Sequence, residues 1–177
     1  MDYVRDYAMY ASVFGLFSMA WFGWAQENPR SSWRIYLGIG ASLGLLVCLI
    51  GVYLSVTHWD GASALNDSDS FRAYLIAFYA EFAIGAIGSY FWIRRKRHDF
   101  VAPWIAFIVG IHFIALKDVF QDSGLYVLSG LLIAASLFSP FIARRMQVAS
   151  SAITGIAAGS SLFLFAILGL IRFSQAV

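Results

Sequence analysis

Two ionisable residues interrupt stretches that are otherwise apolar, and they are the places where this chain could do chemistry. Glu81 lies ten residues past Phe71. At helical rise that is about 15 Å, near the middle of a hydrocarbon layer about 30 Å thick. A carboxylate there is costly to ionise in isolation, so it should be neutral, paired, or in contact with a wet cavity. Its neighbours three, four and seven residues away are Tyr74, Ala77, Phe78, Ile84, Gly85 and Gly88. Such a stripe of small and aromatic residues lets another helix approach closely, which turns Glu81 inward. Two readings stand together: a proton-titrating or cation-binding site in a pathway, and a protonated packing residue that joins two helices.

His112 falls at a comparable depth in the next apolar segment, within Gly110 to Asp118. The two segments run in opposite directions, so Glu81 and His112 can meet as a proton relay or a gated hydrogen bond. The plainer alternative is a histidine bonded to a neighbouring carbonyl or hydroxyl. Tyr74, on the Glu81 stripe, and Lys117, five residues beyond His112, complete the candidate substrate- or proton-binding set. Lys117 and Asp118 also suit a snorkelling position at the interface.

Other chemistries lack their motifs. No phosphate-binding glycine loop, cysteine pair or close histidine pair occurs, so no catalytic residue, metal site or cofactor is expected. His58, His98 and His112 fall at three depths and cannot share an ion or a haem. The polar stretch with His58, Asp60, Asp67 and Asp69 reads as a solvated turn. Cys48 is alone in the chain and reads as a small packing residue.

The elements that must position Glu81 and His112 follow from composition. Of 177 residues 60% are hydrophobic and 12% charged, against roughly 25% charged in soluble domains. Six apolar segments, at about 7–25, 34–57, 71–93, 101–118, 125–143 and 149–172, are each about long enough to cross a membrane as a helix. Lipid forces the backbone to satisfy its own hydrogen bonds, and the runs lack the alternation of barrel strands. The expected fold is therefore an all-α, polytopic transmembrane bundle of six helices in a single domain, residues 1–177. The first helix is expected to be retained, since no basic segment precedes it.

Gly40 with Gly44 and Gly155 with Gly159 form small-xxx-small pairs. With Gly85 and Gly88 they are the expected helix-packing positions, within one chain or between copies in a homo-oligomer. Pro140 should kink the fifth span. Tyr36 and Gly40 recur as Tyr126 and Gly130 at an offset of ninety residues, which suggests two inverted three-helix halves of the kind found in transporters.

Alternate assignment of the loops places eight basic residues, Arg30, Arg34, Arg94, Arg95, Lys96, Arg97, Arg144 and Arg145, on one side with two acids, and four on the other with seven acids. The positive-inside rule then puts both termini outside and the basic loops in the cytoplasm. Trp21, Trp24, Trp33, Trp92 and Trp104 should anchor the cytoplasmic interface. Arg94, Arg95, Lys96 and Arg97 either fix topology or bind anionic lipid, at about 1 kcal/mol per charge. The expected partners are the bilayer and a second copy of the chain, with no nucleic acid.

The segment Gly110-Ile111-His112-Phe113-Ile114-Ala115-Leu116, followed by Leu125-Tyr126-Val127-Leu128-Ser129-Gly130, resembles small uncharacterised bacterial multi-pass membrane proteins. The resemblance implies a plasma-membrane protein, in bacteria the inner membrane, and carries no activity. Three function classes follow. A small channel or secondary transporter uses Glu81; a scaffold, immunity or accessory subunit uses the glycine faces; a lipid-modifying enzyme would have to use His58, Asp60 and Asp67.

Overall fold

The computed structural model describes residues 3–177. Among them are six α-helices and no strand: α1 Val4–Trp24, α2 Arg34–Thr57, α3 Ser68–Arg94, α4 Val101–Phe120, α5 Gly124–Met146 and α6 Ser150–Ala176. Each begins and ends within four residues of the corresponding expected span. Five stretches, 31–57, 68–94, 98–120, 124–146 and 150–176, are long and apolar enough to cross a membrane. The six expected helices are all present; α1, 21 residues long, is less apolar than the other five because Arg5, Asp6 and several Tyr, Ser and Trp residues dilute it.

That dilution has a structural reason. α1 packs against both α2 and α6, α6 packs on α5 and α4, and α4 on α5 and α3. Shielded on two sides by protein, α1 has less need of a lipid-compatible surface. The approach depends on glycines. A Cβ on Gly15 would lie 2.6 Å from the Cys48 nitrogen, one on Gly44 2.9 Å from the Met19 nitrogen, and one on Gly155 2.5 Å from the Trp21 carbonyl. Gly40 and Gly159 both meet the Phe22 ring, which wedges α1 between α2 and α6. The Ser18 hydroxyl, fully buried, donates to the Gly159 carbonyl at 2.9 Å.

α3 is the opposite case. It packs against α4 and has no substantial contact with α1 or α2, and none of its residues is buried. Gly88 takes the Trp104 indole over its backbone, and the indole N–H donates to the Ile84 carbonyl at 3.3 Å. Trp104 therefore fastens α3 to α4 in addition to any interfacial role. Trp21 likewise departs from expectation: it is buried in the core and stacked on Trp24 at 5.3 Å.

The two halves of the chain do not pack alike. α4, α5 and α6 touch pairwise, whereas in the first half only α1 and α2 do so substantially. The matched glycines differ as well, since Gly40 meets Phe22 while a Cβ on Gly130 would meet nothing. α5 runs unbroken through Pro140.

The start of α1 and the end of α6 lie at one end of the bundle, because the two helices are antiparallel and bring Gly169 against Tyr7. At this terminal end the α2–α3 connection is tied down. Arg5 donates to the Trp59 carbonyl at 3.0 Å and lies 4.1 Å over the Trp59 ring. The Ala64 N–H donates to the carboxylate of Asp6 at 2.8 Å. The opposite, basic end carries Arg94, Arg95, Lys96, Arg97, Arg144 and Arg145.

Candidate functional site

Because α4 is the α-helix with which α3 makes its substantial contact, a cleft remains between α3 and α1, floored by α4. Its walls carry a run of aromatics at helical spacing on α1, namely Tyr10, Phe14, Phe17 and Trp21, facing Tyr74, Phe78 and Phe82 on α3. Two chambers follow one another along it. The chamber towards the terminal end has a volume of about 130 Å³ and reaches Tyr10, Phe120 and Leu125. The other, of about 340 Å³, runs towards the basic end past Gly85, Ala86, Ser89 and Trp24. Phe17, Trp21, Glu81, Phe82 and Val109 line both.

Glu81 and His112 meet in this cleft. His112 Nδ1 is 3.2 Å from Glu81 Oε2 and 3.3 Å from the Ala77 carbonyl. With its proton on Nδ1, the imidazole donates to both, which leaves Oε1 of Glu81 for another partner. The Glu81 side chain is 21% accessible and that of His112 9%, so the carboxyl is partly open to the cleft. Among the described residues no Lys, Arg or Asp lines either chamber. The remaining polar side-chain groups are the hydroxyls of Tyr10, Tyr74 and Ser89 and the indole N–H groups of Trp21 and Trp24. Tyr10 is 6% exposed and its hydroxyl has no hydrogen-bond partner, and the Ser89 hydroxyl also lacks one.

No protein-family model, curated protein or solved structure matches this chain. The geometry therefore has to carry the functional reading. Of the expected set, Glu81, His112 and Tyr74 come together in the cleft. Lys117 does not: its ammonium lies 2.7 Å from Asp118 Oδ1 and 5.5 Å from the Tyr126 ring centre, outside both chambers. Snorkelling accounts for it, because four methylenes let the charge leave the span. Gly85 is also corrected as a packing position, since a Cβ there would meet nothing within 4 Å and the residue lines the larger chamber.

Of the loop residues considered for enzymatic chemistry, His58 and Asp67 are each engaged by local partners. His58 Nδ1 sits 3.0 Å from both the Thr57 hydroxyl and the Leu54 carbonyl, with its ring edge-on to Phe173. Asp67 instead caps α3, accepting the Ser70 N–H at 2.8 Å. That bond holds its carboxyl below the usual aspartate value of 3.8.

Two of the seven acids counted on the side of the termini, Asp6 and Asp122, are buried in the fold. Asp6 is fully buried, and one of its oxygens has no partner. Asp122, also buried, pairs with Arg172 at 2.8 Å and accepts the Gly124 N–H at 2.9 Å. Spacing held a partial signal: Asp6, Tyr10, Phe14, Phe17 and Trp21 recur every three or four residues, the period of one helix face. The Asp122–Arg172 pairing spans fifty residues and leaves no local signature. At the basic end a further cleft of about 480 Å³, walled by Trp92, Phe100, Trp104 and Phe141, ends on Arg144.

Proposed function

We propose that this integral membrane protein is a small secondary transporter in which Glu81, steadied by His112, is the proton-responsive group. One observation carries the reading: Glu81 is the charged side chain common to the two chambers that follow one another along the α1/α3 cleft. A carboxyl at such a junction can exchange its proton or ligand with either chamber, which is what alternating access requires. Aromatic walls favour this over an open channel, because a narrow apolar passage sheds water. The weak attachment of α3 supplies an element able to move against α1. By the positive-inside rule the basic end faces the cytoplasm, in bacteria across the inner membrane. Arg94, Arg95, Lys96 and Arg97 at that end suit anionic headgroups.

The test is proton flux in proteoliposomes carrying a pH-sensitive dye. Wild type should dissipate an imposed gradient when substrate is supplied, Glu81→Gln should abolish the signal, and His112→Ala should slow it. Equal fluxes in wild type and a correctly folded Glu81→Gln protein would sink the proposal.

A second reading, a membrane scaffold or accessory subunit, is favoured by the absence of buried residues along α3. A face of that length suits a second copy or another membrane protein. Cross-linking from cysteines placed at Ile76 and Ile87, both exposed, would detect a stable neighbour. Monomers without cross-links would count against it.

A further inference from the structure

We propose that the α1/α3 cleft takes a hydrophobic organic cation, an amine or onium ion, in exchange for the proton of Glu81. The inference deepens the transport reading and rests on it. Charge selects the class first. Among the described residues Glu81 is the one carboxylate lining the chambers, and no Lys or Arg is present to neutralise an anion. An anionic ligand would thus face an acid at close range in apolar surroundings, whereas a cation would find its counter-charge.

The walls select within that class. Phe17 and Phe82 line both chambers beside Glu81 while remaining 47% and 55% exposed, so their rings are not consumed by packing. Ring faces around a carboxylate are the surroundings that bind alkylammonium and onium ions. A small, strongly hydrated metal ion has no comparable reason to enter, since hard cations require several oxygen ligands and no group of three His, Cys, Asp or Glu residues is found among the described residues.

The exchange balances in charge. Glu81 as the carboxylic acid releases one proton to water, its oxygen accepts the cation, and the site is neutral before and after. His112 keeps its Nδ1–H on Oε2, at 3.2 Å, in both states, which leaves Oε1 for the ligand. The titratable groups facing Glu81 are His112 from α4, Tyr10 from α1 and Tyr74 from its own helix. Proton and cation therefore compete mainly for one carboxylate.

Binding of tetraphenylphosphonium to the purified protein in nanodiscs, measured by calorimetry, tests this directly. The anion tetraphenylborate shares its shape, and the neutral triphenylphosphine oxide keeps three of its four rings; both serve as comparators. The expected result is at least about tenfold tighter binding of the cation than of either comparator, about tenfold weaker binding in Glu81→Gln, recovery in Glu81→Asp, and release of about one proton per cation. Equal binding of the neutral compound, or no proton release by wild type, would overturn the inference even if the Glu81 variants failed to fold. Glu81-dependent proton flux without cation binding would overturn this inference and leave the transport reading standing. Cation binding with proton release but no vectorial flux would do the reverse.

Discussion

α1 and α3 are both long helices in an apolar chain, and the fold treats them in opposite ways. α1 is less apolar than the other five helices and is packed on two sides, with Asp6, Tyr10, Ser18 and Trp21 buried. α3 qualifies as a span and buries none of its 27 residues. Lipid tails are as apolar as a protein core, so hydrophobicity marks the helices that face lipid and says little about which helix lies at the centre. Small residues mark the centre better. The site sits where the two regimes meet, with a tightly held aromatic wall on one side and a lightly held helix bearing Glu81 on the other.

Breaking the packed side should give the largest effects. Arg172→Ala strands the buried carboxylate of Asp122 at the terminal end and should cost about 3–5 kcal/mol, seen as early loss of the monodisperse peak when the detergent-solubilised protein is heated. Gly155→Ala pushes a methyl to 2.5 Å from the Trp21 carbonyl. Backbone cannot yield as a side chain would, so the α1–α6 contact should open at a cost of about 1–3 kcal/mol in the same assay.

The α3 side should respond more weakly. Glu81→Leu removes one interhelical hydrogen bond from a helix that buries little, and the loss should be about 0.5–1.5 kcal/mol. A drop of several kcal/mol would mean that Glu81 is a structural fastener, and the contrast between the two helices would lose its functional meaning. Gly85→Ala has open space around the new methyl and should stabilise α3 by up to about 1 kcal/mol through helix propensity. The same change narrows the larger chamber, so activity should fall while stability rises. An unchanged flux would show that this chamber is not used.

The smallest effect concerns the start of α3. The Ser70 N–H depresses the Asp67 carboxyl below 3.8, so the cap contributes stability above the unfolded aspartate value and loses it as pH falls through the lower folded value. The protection of the Ser70 amide, its exchange rate divided into the intrinsic rate at the same pH, should therefore fall in acid, and Asp67→Ala should show low protection at every pH.

Much of this was legible in the chain itself. Length and apolarity place six helices to within a few residues, and a lone acid at mid-span is conspicuous wherever it falls. The Glu81–His112 meeting was readable because adjacent antiparallel helices bring equal depths together. Lys117 and Gly85 were misjudged because sequence gives depth along a helix but not direction around it relative to neighbours. Lys117 turns to Asp118 and Tyr126, and Gly85 turns to empty space.

Sequence by itself determined the number of helices, their limits, the basic end and the two residues that lipid does not explain, because each follows from the cost of placing polar groups in hydrocarbon. Only the tertiary structure decided that α1 is central and α3 peripheral, that Asp6 and Asp122 are buried, and that Glu81 stands between two chambers. Those outcomes depend on which small residues meet across helices distant in sequence, and no periodicity within a single helix records that choice.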